Sequence, residues 1–234
     1  MHSYFPLFSI LFLFLSCNNT DSTATKESLV LDKASATGKQ ITPVSIEKLL
    51  QQKLPLPFSI KSPKDSTLQV KYQFEQLPIW LQQSVFWPKE RLTAEGFYFD
   101  PSKEDKKGGI RPSFIGSFSH KNIASMLFHY RKDVMTMAGR YSYEVYEIRN
   151  YNLETKTLID SLPAAKYIFL KDGALTETTN SSIQIKADLS MIIYSQFEDY
   201  DEEPIAEGRE PIHNIYTDTI YYKMLADGRF KKGR

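Results

Sequence analysis

The sequence predicts a mainly β protein of the α+β class: an antiparallel sheet of successive hairpins with two short N-terminal helices packed on it. Three observations carry this. Tyr, Phe and β-branched residues, which suit a pleated half-buried surface, gather in short runs, with 14 Tyr and 15 Phe among 234 residues. Turn signals separate the runs: Lys106-Lys107-Gly108-Gly109, Ala138-Gly139, Asn152–Lys156, Lys171-Asp172-Gly173 and Asp227-Gly228. No interval after residue 90 shows a long helical period, and parallel strands need crossovers of a dozen or more residues, usually helical.

The helices come first. Ile46, Leu49, Leu50 and Leu54 recur at helical spacing behind Ser45, a good N-cap, and Pro55 ends the run. Leu77, Trp80, Leu81 and Val85 repeat the pattern, with Pro78 near the first turn and Pro88 beyond the end. Between them, Leu68, Val70, Tyr72 and Phe74 alternate with Gln69, Lys71 and Gln73, the period of a half-buried strand over 67–74. A one-residue slip there would expose all four apolar side chains. Further strands are expected at 123–131, 140–149, 166–171, 182–187, 190–197 and 215–225, pairing mostly antiparallel with sequence neighbours. The Asp227-Gly228 turn should return Phe230 against the preceding strand. The two helices should cover part of the sheet.

The N-terminus reads as an address. From Leu7 to Leu15 only Ser9 is not strongly apolar. That run is too short to cross about 30 Å of hydrocarbon as a helix, which takes about 20 residues. It has the length of a signal-peptide core, although the segment before it carries no Lys or Arg. Cys17, the only cysteine, follows Phe14-Leu15-Ser16. This resembles a bacterial lipobox, which implies cleavage after Ser16 and acylation of Cys17. A buried CH2 contributes about 0.8 kcal/mol, so a diacylglycerol with an amide-linked chain would anchor the protein essentially permanently. Residues 1–16 are then the signal peptide and 17–44 a lipidated, flexible tether rich in Ser, Thr, Lys and Asp. Residues 45–234 are one mainly β domain. Asn18 stands where an Asp would hold a lipoprotein at the inner membrane of enteric bacteria, and only Asp21 stands for the acidic cluster of surface-exported lipoproteins. The expected location is the cell envelope, on the periplasmic face of the outer membrane, with surface display open.

Three stretches carry a family likeness: Leu54–Phe58 after the first helix, Leu158–Leu162, and the terminal hairpin Tyr221–Phe230. With the lipobox, they resemble small uncharacterised lipoproteins of Bacteroidota. The resemblance implies a lipid-anchored, mainly β domain and supplies no catalytic residue.

Composition excludes several chemistries. A net charge of +1 sets up no field for nucleic acid, and Lys106-Lys107 and Lys231-Lys232 are isolated pairs. One cysteine excludes an intrachain disulfide framework and zinc sites that need two or more cysteines. His120, His129 and His213 form no close pair and no HExxH. No GxSxG and no Gly-rich phosphate loop occurs, and the serine–histidine neighbours Ser117, Ser119 and His120 mean little, because triad partners meet in space. Two candidate clusters remain. Glu198, Asp199, Asp201 and Glu203 could offer oxygen ligands to Ca2+, although the run lacks a DxDxDG loop and its default reading is a solvated hairpin tip. Trp80, Trp87, Tyr141 and Tyr143 could stack on a sugar or grip a partner, against the plainer reading as core packing.

The sequence therefore predicts an envelope-anchored lipoprotein without a cofactor, acting as a non-enzymatic binding or scaffolding module. Its partners are the membrane through the lipid anchor and another envelope protein or a glycan, not nucleic acid. Two alternatives stand beside it: an envelope hydrolase acting on glycan or peptidoglycan with dispersed carboxylates, and a small-ligand carrier with an apolar cup.

Overall fold

The computed structural model describes residues 41–63, 67–88, 109–120, 122–135, 139–206 and 208–233. The expected signal peptide, Cys17, almost all of the expected tether and the Lys106-Lys107 turn signal lie outside the described residues, as does Ala138. What is described falls within one unit, Gln40–Arg234.

The chain is mainly β and its main sheet is antiparallel with nine strands. Eight follow one another as neighbours in chain order: β4 (Ser113–His120), β5 (Ile123–Met135), β6 (Gly139–Asn152), β7 (Thr157–Asp172), β8 (Leu175–Ile185), β9 (Ser190–Asp201), β10 (Ile212–Met224) and β11 (Phe230–Lys232). Short turns between strands permit only this antiparallel meander. Phe230 returns onto Met224 as the turn signal requires, and Gly228 turns there with φ of 87°. A ninth strand, β1 (Phe58–Ile60), pairs with the end of β8. β2 (Trp87–Pro88) and β3 (Gly109–Ile110) form a separate two-residue ladder.

Two cores lie on opposite faces of the strands β4 to β6. The first gathers Phe128, Tyr130, Tyr143 and Val145 with Leu49 of α1 (Ile46–Leu50), with Leu77, and with Leu81 and Val85 of α2 (Ile79–Val85). The second gathers Leu127, Tyr146 and Ile148 with Ile60, Ile183, Ile185 and Met224. Alternate residues of one strand serve each, so β6 is buried almost end to end.

The C-terminal end of α2 shows how the first core admits polar groups. Its last carbonyls have no partner within the helix. The sheet reaches them: Tyr130 Oη donates to Val85 O at 2.9 Å, and Arg149 Nη1 donates to Ser84 O at 2.5 Å. Arg149 Nε also donates to Glu147 Oε2 at 2.8 Å, with both side chains almost fully buried. A cation also suits the negative end of the helix dipole.

The second core depends on a twist. Tyr167 of β7 pairs with Asn180 of β8, so the two share a face. Continuing along β8, however, it is the alternate set, Ile183 and Ile185, that enters the core with Tyr146. Below this point β7 keeps β6 as partner while β8 takes β1 instead. The right-handed strand twist turns both partners the same way as they separate. The face that points inward on β7 therefore points outward on β8. A bulge between Tyr146 and Glu147 marks the divergence.

Several expectations change. Residues 67–74 are not a ladder strand: one isolated bridge joins Tyr72 to Phe114, and Phe74–Gln76 forms a 3-10 turn. The segment crosses the edge of β4, where both cores open. Leu68 packs on the second core, Tyr72 and Phe74 pack on the first, and Val70 is 40% exposed. The alternation therefore does not define a single buried face. Leu54 lies beyond α1, hydrogen-bonded to Ser117 O. Gly116 allows this approach, because a Cβ there would meet the Leu54 side chain at 2.8 Å. Strand β4 was not expected, and β8 begins seven residues before its expected start at 182.

Candidate functional site

The registers build an open face from one residue per strand. Arg131 pairs with Glu144, Glu144 with Tyr167, Tyr167 with Asn180, Asn180 with Gln196, and Gln196 with Thr217. One row thus crosses six strands from β5 to β10. A second row runs beside it through Asp133, Ser142, Phe169, Thr178, Glu198 and Ile215. Side chains two apart on a strand share a face, so the rows are neighbours on one surface.

A shallow cavity lies at each end of this face. The first, of about 300 Å³, is lined by Arg131, Asp133, Arg140, Ser142, Glu144, Tyr167 and Phe169, with Tyr143. Three of its charged groups, Arg131, Asp133 and Glu144, are each held by a neighbour. Arg131 Nε donates to Asp133 Oδ2 at 3.0 Å, and Ser142 Oγ donates to Asp133 Oδ1. These contacts, the serine hydrogen bond first, hold the Asp133 carboxyl below its usual range. His129 Nε2 meets Glu144 Oε1 at 2.8 Å, and its ring stacks on Tyr146 at 4.6 Å. Burial lowers the His129 pKa, and Glu144 only partly offsets this. The neutral imidazole therefore donates from Nε2 to the carboxylate.

This arrangement opposes hydrolysis by a serine triad or by a carboxylic acid. Ser142 sits opposite Asp133, while His129 sits opposite Tyr146, four residues or about 13 Å along the strand. A general acid needs a raised carboxyl pKa, the opposite of the shift at Asp133.

The second cavity, of about 250 Å³, lies on β8, β9 and β10. Its lining is almost wholly uncharged: Asn180, Ser182, Tyr194, Gln196, Thr217 and Thr219 with the adjoining Ser181 and Ser195, and Lys61 and Asp218 as its two charged groups.

Apart from Glu198 in the second row and Tyr143 against the first cavity, the described residues singled out by the sequence fall elsewhere. Trp87 is 1% exposed and stacks on Tyr130 at 4.1 Å. Tyr141 and Tyr143 are also buried in the first core. Burial removes Trp87 and Tyr141 from any binding surface, and Tyr143, 4% exposed, only edges the first cavity. Trp80 is half-buried, edge-on to Tyr151 at 5.5 Å. The acidic run is not a hairpin tip. Glu198, Asp199 and Asp201 lie in β9, and Glu203 opens the short α3 (Glu203–Ala206). Strand alternation sends Glu198 to one face and Asp199 and Asp201 to the other. Glu198 meets His213 Nε2 at 2.7 Å, while Asp199 accepts from Asn214 Nδ2 at 2.8 Å. Among the described residues, no group of three His, Cys, Asp or Glu gathers to hold a metal ion. Cys17 lies outside the described residues.

The second cavity escaped sequence reasoning because the first part of β8 looks like a loop. Thr176–Ser182 is a run of Thr, Glu, Asn and Ser, the composition of turns. Only the alternation of Ile183 and Ile185 just after it hinted at a strand.

No family model matches the chain, and neither a curated protein nor a solved structure matches it significantly.

Proposed function

We propose that this protein is an envelope lipoprotein, anchored through Cys17, that acts as a non-enzymatic binding module through the open face of its sheet. In this reading α1 and α2 are packed on the opposite side of the sheet as a fixed cover, and the tether lets the domain reach its partner. One observation carries the proposal: a row of side chains from Arg131 to Thr217 crosses six strands with shallow cavities at both ends. Such a surface suits an extended ligand better than a small one, which is held in a deep, mostly apolar pocket. The pairing of Arg131 with Asp133 favours binding over catalysis, since Asp133 is held ionised and His129 stands opposite Tyr146, four residues along the strand from Asp133.

The test has two arms. Cells fed an alkyne fatty acid should label the wild type and not Cys17→Ser, and equal labelling of both removes the anchor. Capture from crosslinked envelopes should recover a partner that Thr178→Lys, placed mid-face between the cavities, no longer retains. Recovery unchanged by that variant removes the face. Cleavage of peptidoglycan or glycan by the purified protein, lost in Asp133→Asn, would instead establish the hydrolase.

A further inference from the structure

The two cavities on the recognition face differ in what their polar groups already do. In the charged cavity, Arg131, Asp133 and Ser142 form one hydrogen-bonded chain, and Glu144 holds His129. In the neutral cavity the side chains of Asn180, Ser182, Tyr194, Gln196 and Thr217 hydrogen-bond to no other group among the described residues. Each carries donors and acceptors together, as amides and hydroxyls do. They stand on three paired strands, in two register rows: Asn180–Gln196–Thr217 and Ser182–Tyr194–Thr219. Their backbone positions are set by the ladder, so holding a ligand costs little further ordering of the chain.

We propose that this cavity binds an uncharged glycan chain, a conclusion that rests on the reading of the sheet face as a binding surface. Three features point to that chemistry. The lining offers hydrogen bonds in both senses, which match the hydroxyls of a sugar. Its two charges, Lys61 and Asp218, are opposite in sign, so the cavity favours neither an anionic nor a cationic ligand. Asp218 is further occupied by the Thr219 amide, at 2.8 Å from Oδ1. Aromatic rings are also available: Tyr194 is 47% exposed and Tyr221, two residues beyond Thr219 on the same face, is 51% exposed. A flat ring with a polar tip can stack on the C–H face of a sugar and still bond its hydroxyls. Two rows across three strands make a platform roughly 7 by 10 Å, the footprint of one or two sugar rings. The open flanks let a longer chain pass through.

The test is affinity electrophoresis of the full-length protein in detergent. The gels contain soluble neutral polysaccharides (a mixed-linkage β-glucan, a glucomannan and a soluble starch) or the acidic polymers polygalacturonate and alginate. At least one neutral polymer should retard the wild type. Asn180→Ala with Gln196→Ala should weaken retardation at least tenfold without lowering the melting temperature. Tyr194→Ala should weaken it as well. Tyr216→Ala, on the opposite face of β10, should leave it unchanged. Retardation by acidic polymers alone, loss caused by Tyr216→Ala and not by the Asn180/Gln196 pair, or no retardation by any polymer would overturn the assignment. A protein partner captured through the sheet face while every neutral polymer fails would overturn the glycan and leave the binding face standing. Failure of both would remove the face itself.

Discussion

Strands β6 and β10 are near in length and similar in composition, yet the fold treats them in opposite ways. From Val145 to Tyr151 every residue of β6 is buried, including Glu147, Arg149 and Asn150. From Ile212 to Thr219 no residue of β10 is buried, although Ile212, Ile215 and Tyr216 are large and apolar. The difference is the number of neighbours stacked on the sheet. β6 has a core on each side, whereas β10 lies at the far side of the meander with only Phe230–Lys232 beyond it over three residues. Hydropathy alone would reverse part of this assignment. Burial in a sheet is set by what lies above and below the strand, not by the strand.

The strongest way to break the comparison is to attack the buried charges of β6. Arg149→Met should destabilise the domain by about 3–5 kcal/mol in urea unfolding, because it leaves the Glu147 carboxylate buried without its cation. Adding Glu147→Leu should recover much of the loss. If the single variant is neutral, β6 is not sealed as described.

Next comes the cover of the first core. Leu81 is fully buried beneath α2, so Leu81→Ala should cost about 2–5 kcal/mol through lost contacts and the cavity left behind. Tyr216→Ala on β10, its ring 59% exposed, should stay within about 0.5 kcal/mol. The same contrast can be read optically. In Trp80→Phe the remaining Trp87 should emit to the blue and resist acrylamide, and strong quenching would contradict its burial.

A smaller effect should come from His129, between the buried and the wet parts of the sheet. Its pKa is lowered in the fold from 6.5, chiefly by burial. The unfolded chain therefore takes up this proton first as pH falls. The stability linked to His129 is complete above about 6.5 and is lost as pH drops through the lowered value. Melting temperature against pH should fall less steeply in that window for His129→Gln than for the wild type. Equal slopes would show that Glu144 offsets burial in full.

The least effect belongs to the acidic run. Changing Asp199, Asp201 and Glu203 together to Ser should shift stability by no more than about 0.5 kcal/mol per site. Added Ca2+ should not raise the melting temperature of the wild type. A calcium-dependent rise that the triple change abolishes would make Asp199, Asp201 and Glu203 a metal site.

Much of the fold was legible locally. Ser45 caps α1 at Lys48 N, and Leu77, Leu81 and Val85 form one buried stripe. The hairpins fall where the Asn152–Lys156, Lys171-Asp172-Gly173 and Asp227-Gly228 signals stand. The segment 67–74 misled because its true alternation serves two cores across the edge of β4. The candidate site was hardly legible at all. Its residues are ordinary exposed Thr, Ser, Asn and Gln, and they become a surface only when five registers align them. The aromatics that looked like a site, Trp87, Tyr141 and Tyr143, are core because large rings pack best on one another: Trp87 stacks on Tyr130 and tilts against Tyr143.

By itself the sequence determined what is local: the strand period, the turns between strands, and hence a meander of antiparallel neighbours. Each depends on backbone preferences a few residues long. The tertiary structure alone decided which face of each strand meets solvent. That choice requires β7 and β8 to part, β1 to fill the gap, and strand twist to turn β8 so that Ile183 points inward and Asn180 outward. Alternation along a strand names two faces but not which is covered. Only a second layer, placed by residues far away in the chain, makes one of them a core and leaves the other to water.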